Sequence, residues 1–350
     1  MMRFASQVRT LAAALLLAAG LFVAAPGAAP SALAQAGTPA SPAAAQEEML
    51  FRYLQTAPQG RHGEIVGRVT IPDQKAATLI QPHGRGFQEA WRTTMKWVGA
   101  VSILGMLAVI TLFYLVRGRV RIAAGPSGRY IQRFDGLERF AHWLTATSFI
   151  VLAITGLNIS YGRHLLLPLI GPEAFTAWSE VGKVAHNFLG FPFTLGVLLM
   201  VVLWVHRNIP DGTDIEWLAK GGGLVGHAHA PSKKFNAGQK LVFWTTVLGG
   251  AAIAVTGFIK MFPFQFIATD VYGMQLATQI HGLVGFVMIA LILAHIYIGT
   301  LGMEGAFAAM GSGKVDLNWA KEHHSLWVDE VMNPTRKASL PAGAKGAGAD

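Results

Sequence analysis

The chain reads as an all-α polytopic membrane protein, and three observations make it so. Of its 350 residues, 52% are hydrophobic and only 13% are charged, whereas a soluble chain carries about 25% charged residues. Five apolar stretches, at 97–116, 140–158, 184–205, 241–259 and 276–301, each approach the ~20 residues that a bilayer requires. Within the second, third and fifth of these lie four histidines, His142, His186, His281 and His295. Ionisable side chains are costly in hydrocarbon and mark functional positions there.

Taken from the N-terminus, the first element is a secretory signal over 1–36. Arg3 and Arg9 precede the apolar run Leu11–Ala25, and small residues at Ala32-Leu33-Ala34 and Ala34-Gln35-Ala36 offer cleavage sites. The alternative is an uncleaved anchor, and both versions export the adjoining segment. Residues 37–95 start Ala-, Pro- and Gly-rich and show no long periodic pattern, so they read as a partly disordered exported segment with a short helix at 47–54. An extra membrane helix at 97–116 leads into a four-helix region over 117–331, and 332–350 reads as a disordered tail.

Lys and Arg in the short loops set the orientation. The loop after the first span holds Arg117, Arg119, Arg121, Arg129, Arg133 and Arg139, and that after the third holds Arg207, Lys220, Lys233, Lys234 and Lys240. The intervening loops hold only Arg163 and Lys183, and Lys260. The positive-inside rule puts the rich loops and the C-terminus in the cytoplasm. An exported N-terminus followed by five crossings ends there too. The net charge of +9 therefore reflects membrane orientation, with no aromatic-basic interleaving or zinc-finger spacing to indicate nucleic acid.

Depth follows from orientation. His281 and His295 are 14 residues apart on one stretch, roughly 21 Å along a helix and on nearly one face. His186 begins a span at the periplasmic side and His142 begins one at the cytoplasmic side. The expected pairs are His186 with His281 outside and His142 with His295 inside. Two imidazoles at each of two depths predict two haems b, so the full fold expectation is a four-helix di-haem b bundle plus one extra N-terminal transmembrane helix. Gly156, Gly190, Gly196, Gly257, Gly282 and Gly285 would give flat macrocycles room, though small residues also serve helix packing.

The chain has no cysteine, which removes disulfides, Cys-ligated iron–sulfur clusters and the C-x-x-C-H attachment of c-type haem. Any electron carrier here is non-covalent and held by histidine. No Asp, Glu or Lys lies within the five apolar cores, which argues against a proton-coupled transporter. His206 reads as interfacial, and His227, His229, His323 and His324 lack companions for a metal site. A haem-free anchor that keeps its histidines for packing is the rival of a different class.

From Tyr130 to Val331 the chain resembles the gamma subunit, cytochrome b556, of respiratory formate dehydrogenases. The resemblance rests on Arg139-Phe-Ala-His142-Trp143 and on His186 with Asn187-Phe-Leu-Gly190. It rests further on His206-Arg-Asn-Ile-Pro-Asp211, Asp214-Ile-Glu-Trp217, Phe235-Asn236-Ala-Gly238-Gln239-Lys240, the pair His281 and His295, and Trp319-Ala-Lys-Glu-His323-His324. The histidine pattern alone is shared with the cytochrome b of nickel-iron hydrogenase. The Asn-Ile-Pro-Asp and Asn-Ala-Gly-Gln-Lys stretches are more specific.

The resemblance implies His186 and His281 as ligands of a periplasmic haem b and His142 and His295 as ligands of a cytoplasmic one. It implies a quinone (menaquinone or ubiquinone) as substrate beside the inner haem, bound by Asn236, Gly238, Gln239 and His295. It implies two partners, a periplasmic catalytic subunit with molybdenum or tungsten and an iron–sulfur subunit, in the bacterial inner membrane. No formate chemistry is expected in this chain. The alternative within the same architecture is the cytochrome b subunit of a hydrogenase or another quinone-linked oxidoreductase. The first 130 residues are additions to the short form of the family, and tethering of a periplasmic partner is one expectation for 37–95.

Overall fold

The computed structural model describes residues 82–333, apart from 224–229, 264 and 266–270. The expected signal peptide, the helix at 47–54, His62, His227, His229 and residues 334–350 lie outside the described residues.

Five helices are long and apolar enough to cross a membrane: Gly86–Arg117, Gly136–Leu165, Leu167–Arg207, Ala237–Met261 and Val271–Gly302. Each contains one of the five apolar stretches and runs beyond it. Two extensions differ from the sequence reading. The first helix starts well before the apolar stretch, through a π-helical turn at Ala90–Met95. The third begins at Leu167 in what reads as a loop, with a break at Gly171 (φ 79°) and Pro172 just after it. Proline fits the first turn of a helix, where no N–H bond is lost. Glu173, Glu180 and Lys183 dilute the hydropathy of that first part, so an apolar criterion misses it.

The second and fourth spans start at defined caps. Asp135 and Glu138 form a reciprocal capping box on the second, and Asn236 and Gln239 form one on the fourth. A third, Asp211 with Asp214, starts the short helix Gly212–Ala219. Each box satisfies backbone N–H groups that a helix start leaves unpaired. All three lie at the basic end of the bundle, the end that carries the Lys- and Arg-rich loops.

Inside the bundle, close approach is set by small residues. A Cβ on Gly196 would collide with the Thr145 hydroxyl and lie 3.0 Å from the Thr145 backbone nitrogen, so the second and third spans touch there. Phe149, Phe193, Val197, Ile253 and Met288 form the core between the two histidine depths. The first span packs against the second and fifth. Tyr161 donates to the Lys96 carbonyl (2.7 Å), and Trp91 lies against Gly282, 2.7 Å from where a Cβ would sit. Gly282 thus accommodates an indole of the first helix, not a macrocycle.

The basic end is capped by the chain beyond the fifth span. Strand β1, Tyr130–Gln132, pairs antiparallel with β2, Lys314–Asp316, and Ile131 lies opposite Val315. Helices Leu317–His323 and Ser325–Met332 then place Trp319 and Trp327 in a cluster with Phe134, Trp204 and Phe235. Arg133 runs into it, with its guanidinium 5.0 Å from the Trp319 ring centre and a hydrogen bond to the Lys234 carbonyl (2.7 Å). Burial lowers the Arg133 pKa to about 9, against the opposing charge of Glu138.

His323 and His324 are part of this cap. His324 is 1% exposed, and its Nδ1 lies 2.8 Å from the Lys233 carbonyl. Burial, aided by the Arg133 charge, pushes its pKa well below the ordinary range.

The Gly196 contact predicts that Gly196→Val lowers stability by about 1–3 kcal/mol through overpacking. Gly105→Ala, where a methyl would touch nothing within 4 Å, should be neutral or slightly stabilising, as thermal denaturation in detergent would show. For His324 the folded state disfavours protonation. Its contribution is therefore fully present above the unfolded value of about 6.5 and is lost as pH falls below it. Hydrogen-exchange protection factors in Leu317–Met332, taken against the intrinsic rate at each pH, should fall between pH 7 and 5 (roughly the window of that unfolded value), and His324→Asn should flatten the dependence.

Candidate functional site

The structure brings the four membrane histidines together in two pairs. At the basic end the His142 and His295 ring centres are 6.2 Å apart. At the opposite end His186 and His281 are 6.1 Å apart, and both pairs meet at an interplanar angle of 59°. Two metal–imidazole bonds of about 2.0 Å each place ring centres about 6 Å apart. Both pairs are therefore spaced so that the two imidazoles of each could hold one metal centre between them. Among the described residues no group of three or more His, Cys, Asp or Glu could hold a bare metal ion. Two donors per site suit an iron whose other four positions belong to a macrocycle.

Small residues open the flanks of the His186–His281 pair. A Cβ on Gly156 would lie 3.4 Å from His186 Cε1, and one on Gly257 would lie 3.3 Å from His281 Cε1. Each ring thus lies against the backbone of a neighbouring span. A methyl on Gly190 or Gly285 would touch nothing within 4 Å, which leaves the helix surface there flat.

Two residues that the sequence reading missed complete this end. Thr155 Oγ1 lies 2.8 Å from His186 Nδ1, and Thr256 Oγ1 lies 3.0 Å from His281 Nδ1. Both threonines are buried, at 3% and 7% exposure. Each immediately precedes the glycine against which its histidine lies. The signal was in the sequence as a repeat, Ala153-Ile-Thr155-Gly156 and Ala254-Val-Thr256-Gly257, one copy in the second span and one in the fourth. His142 has no such device, since its Nδ1 is buried without a hydrogen-bond partner among the described residues.

Asn236, Gly238 and Gln239 lie at the start of the fourth span, at the same end as His142 and His295. Asn236 Oδ1 accepts from the Gln239 N–H (3.0 Å). Gln239 Oε1 accepts from the Asn236 N–H (3.1 Å) and from Arg133 Nη2 (3.3 Å). The oxygens are thus used by the cap, which leaves the two amino groups as donors. Gly238 faces Trp217, whose Cη2 would lie 2.9 Å from a Cβ, so packing already requires glycine there.

The turn is locked to the preceding loop. Lys240, 4% exposed, bonds Asp214 (2.8 Å), Asp211 (3.0 Å) and the Ile209 carbonyl (3.1 Å). Trp244 Nε1 donates to the Asn208 carbonyl (2.8 Å). Against the upward push of burial, hydrogen bonds from Thr213, Lys240 and Lys233 hold the Asp211 carboxyl below the usual carboxylate range. Of the other histidines, His206 is exposed at the basic end and His164 Nε2 lies 3.2 Å from Lys96 Nζ.

Five apolar helices with paired imidazoles inside them define a multi-pass membrane cytochrome. Residues 133–313 match the family described as prokaryotic cytochrome b561, and the chain belongs to that family. Haem b is accordingly its cofactor and electron transfer its role. Among its relatives is the formate dehydrogenase, nitrate-inducible, cytochrome b556(Fdn) subunit of Escherichia coli K12, 31% identical over 221 residues that cover 61% of this chain and 98% of the relative. The formate dehydrogenase, cytochrome b556(fdo) subunit of the same organism is 29% identical over 59% of this chain and 96% of its own length. A formate dehydrogenase, cytochrome b556 subunit of Haemophilus influenzae is 29% identical over 55% of this chain and 80% of its own.

The pairing has a signature in haem content. His186→Ala, His281→Ala and the double variant should each lose the same single haem, whereas His186→Ala with His142→Ala should lose both. Pyridine haemochrome quantitation would count them, and additive losses within a pair would contradict the geometry.

Proposed function

We propose that this chain is the membrane subunit of a quinone-linked formate dehydrogenase, conducting electrons across the inner membrane from a periplasmic catalytic and iron–sulfur module to quinone. The observation that carries the reading is the presence of two imidazole pairs at opposite ends of one four-helix bundle. The relatives' names supply the formate assignment. Each bound haem b would alternate between its ferric and ferrous states, one electron at a time.

His186 and His281 hold the outer site and His142 and His295 the inner one. Two histidines at each site would leave a bound haem iron no position open for oxygen chemistry, and neutral imidazoles cost less in hydrocarbon than charged ligands would. The basic loops at the end that holds His142 and His295 support a cytoplasmic position for that pair. Two stacked sites about 21 Å apart, from the 14-residue spacing of His281 and His295, reach from one surface of the bilayer towards the other. Asn236 and Gln239 face quinone carbonyls with their amino groups, and the Gly238 backbone and His295 complete that site. Quinone reduction there takes protons from the cytoplasm while formate releases its proton outside, so turnover builds a membrane potential. The exported segment 37–95 is proposed to hold the periplasmic subunits.

A dithionite-reduced minus oxidised spectrum of the purified chain tests the carrying observation, with two haems b per chain expected. In membranes containing the partner subunits, formate should reduce both. Reduction by hydrogen alone would assign the chain to a hydrogenase, and a colourless folded protein would leave only an anchor. Asn236→Asp and Gln239→Glu keep the capping oxygens and remove the amino donors. Both should retain two haems and slow quinone reduction at least tenfold, the cost of about 1.4 kcal/mol for a lost hydrogen bond.

A further inference from the structure

We infer that Thr155 and Thr256 are positioning residues that fix the two outer imidazoles in the Nδ1–H form and thereby lower the reduction potential of the haem held between them. The inference rests on the bis-histidine reading and deepens it.

A single hydrogen decides the tautomer. A threonine hydroxyl has one O–H to donate and two lone pairs to accept with. Thr155 Oγ1 lies 2.7 Å from the Val151 carbonyl, and Thr256 Oγ1 lies 2.7 Å from the Ala252 carbonyl. A carbonyl can only accept, so the hydroxyl hydrogen of each threonine goes to its own helix. The oxygen is then an acceptor towards the ring, and His186 Nδ1 and His281 Nδ1 must be the donors. That places the proton on Nδ1 in both rings and leaves the Nε2 lone pairs as the ligating ones.

The consequence is electronic as well as steric. A hydrogen bond accepted from the distal N–H of a ligating imidazole raises the basicity of the ligating nitrogen and holds the ring's orientation. A more basic axial nitrogen favours ferric over ferrous iron, and hydrogen bonds to the axial ligands are among a protein's means of tuning haem potential. Burial of both threonines keeps water from replacing the contact. The same arrangement occurs twice, from different pairs of spans, and is absent at His142, whose Nδ1 has no partner among the described residues. Thr145 serves as an internal control. Among the described residues its hydroxyl bonds only the Ala141 carbonyl (2.8 Å), and it too is buried, at 3% exposure.

The test is a potentiometric titration of the full haem-loaded chain, followed in the visible spectrum. The outer component is defined as the one that His281→Ala removes. Thr155→Val and Thr256→Val should raise its midpoint, so that its oxidised-to-reduced ratio at fixed potential falls several-fold (about 59 mV per tenfold for one electron). The inner component should not move, and Thr155→Ser and Thr256→Ser should return the wild-type value. An unchanged midpoint with both haems retained overturns the inference and leaves bis-histidine ligation standing. So does a shift that serine does not restore, or one that Thr145→Val reproduces. Where valine costs the outer haem altogether, serine decides: recovery of the haem at its wild-type midpoint supports the inference, and continued loss overturns it. A wild-type chain with no haem sensitive to His281→Ala would remove the bis-histidine reading itself.

Discussion

Everything in this bundle is arranged around the need to keep two imidazole rings about 6 Å apart inside hydrocarbon, and to do so twice. An ionisable ring in that medium has no water to satisfy it, so each must meet a ligand, a hydrogen-bond partner, or both. The helices supply the distance through close packing. Gly156 and Gly257 let rings rest on backbones, and Gly196 brings the second and third spans together over Thr145. The aromatic and aliphatic core between the two depths then fixes the vertical separation. Moving the second, third or fifth span would spoil a pair, because each contributes a ligand.

The basic end has a different logic. It is a layer of capping boxes, buried ion pairs and indoles, and Lys240 is its centre. The two stretches most specific to the formate dehydrogenase branch, Asn208-Ile-Pro-Asp211 and Asn236-Ala-Gly-Gln-Lys240, are physically one contact: the lysine of the second bonds the carbonyl and carboxylate of the first. A lone buried ammonium would be prohibitive, and here two carboxylates and a carbonyl satisfy it. Arg133 adds a second strut, reaching Gln239 and the Lys234 carbonyl from beneath Trp319.

Much of this was legible in the sequence because hydropathy and charge are local signals. The five apolar stretches, the loop asymmetry and the 14-residue spacing on the fifth span suffice to pair the histidines before any contact is known. What escaped was non-local or polar. The first part of the third helix carries Glu173, Glu180 and Lys183, which mask it from any apolar criterion. Thr155 and Thr256 escaped because a threonine in a membrane helix ordinarily only bonds its own carbonyl, and its second partner lies on another span. Gly282 meets an indole where a macrocycle was expected for the same reason, since nothing in its own helix announces Trp91.

The threonine–glycine repeat has a bearing on assembly. Thr155 and His186 belong to consecutive spans, as do Thr256 and His281, so each clamp closes within one helical hairpin. A hairpin can therefore orient its ring as soon as its own two helices have inserted, before it has met the other. The outer site is put together from two finished halves. The inner site joins the first helix of one hairpin to the last helix of the other, and it comes into being only when the two hairpins associate.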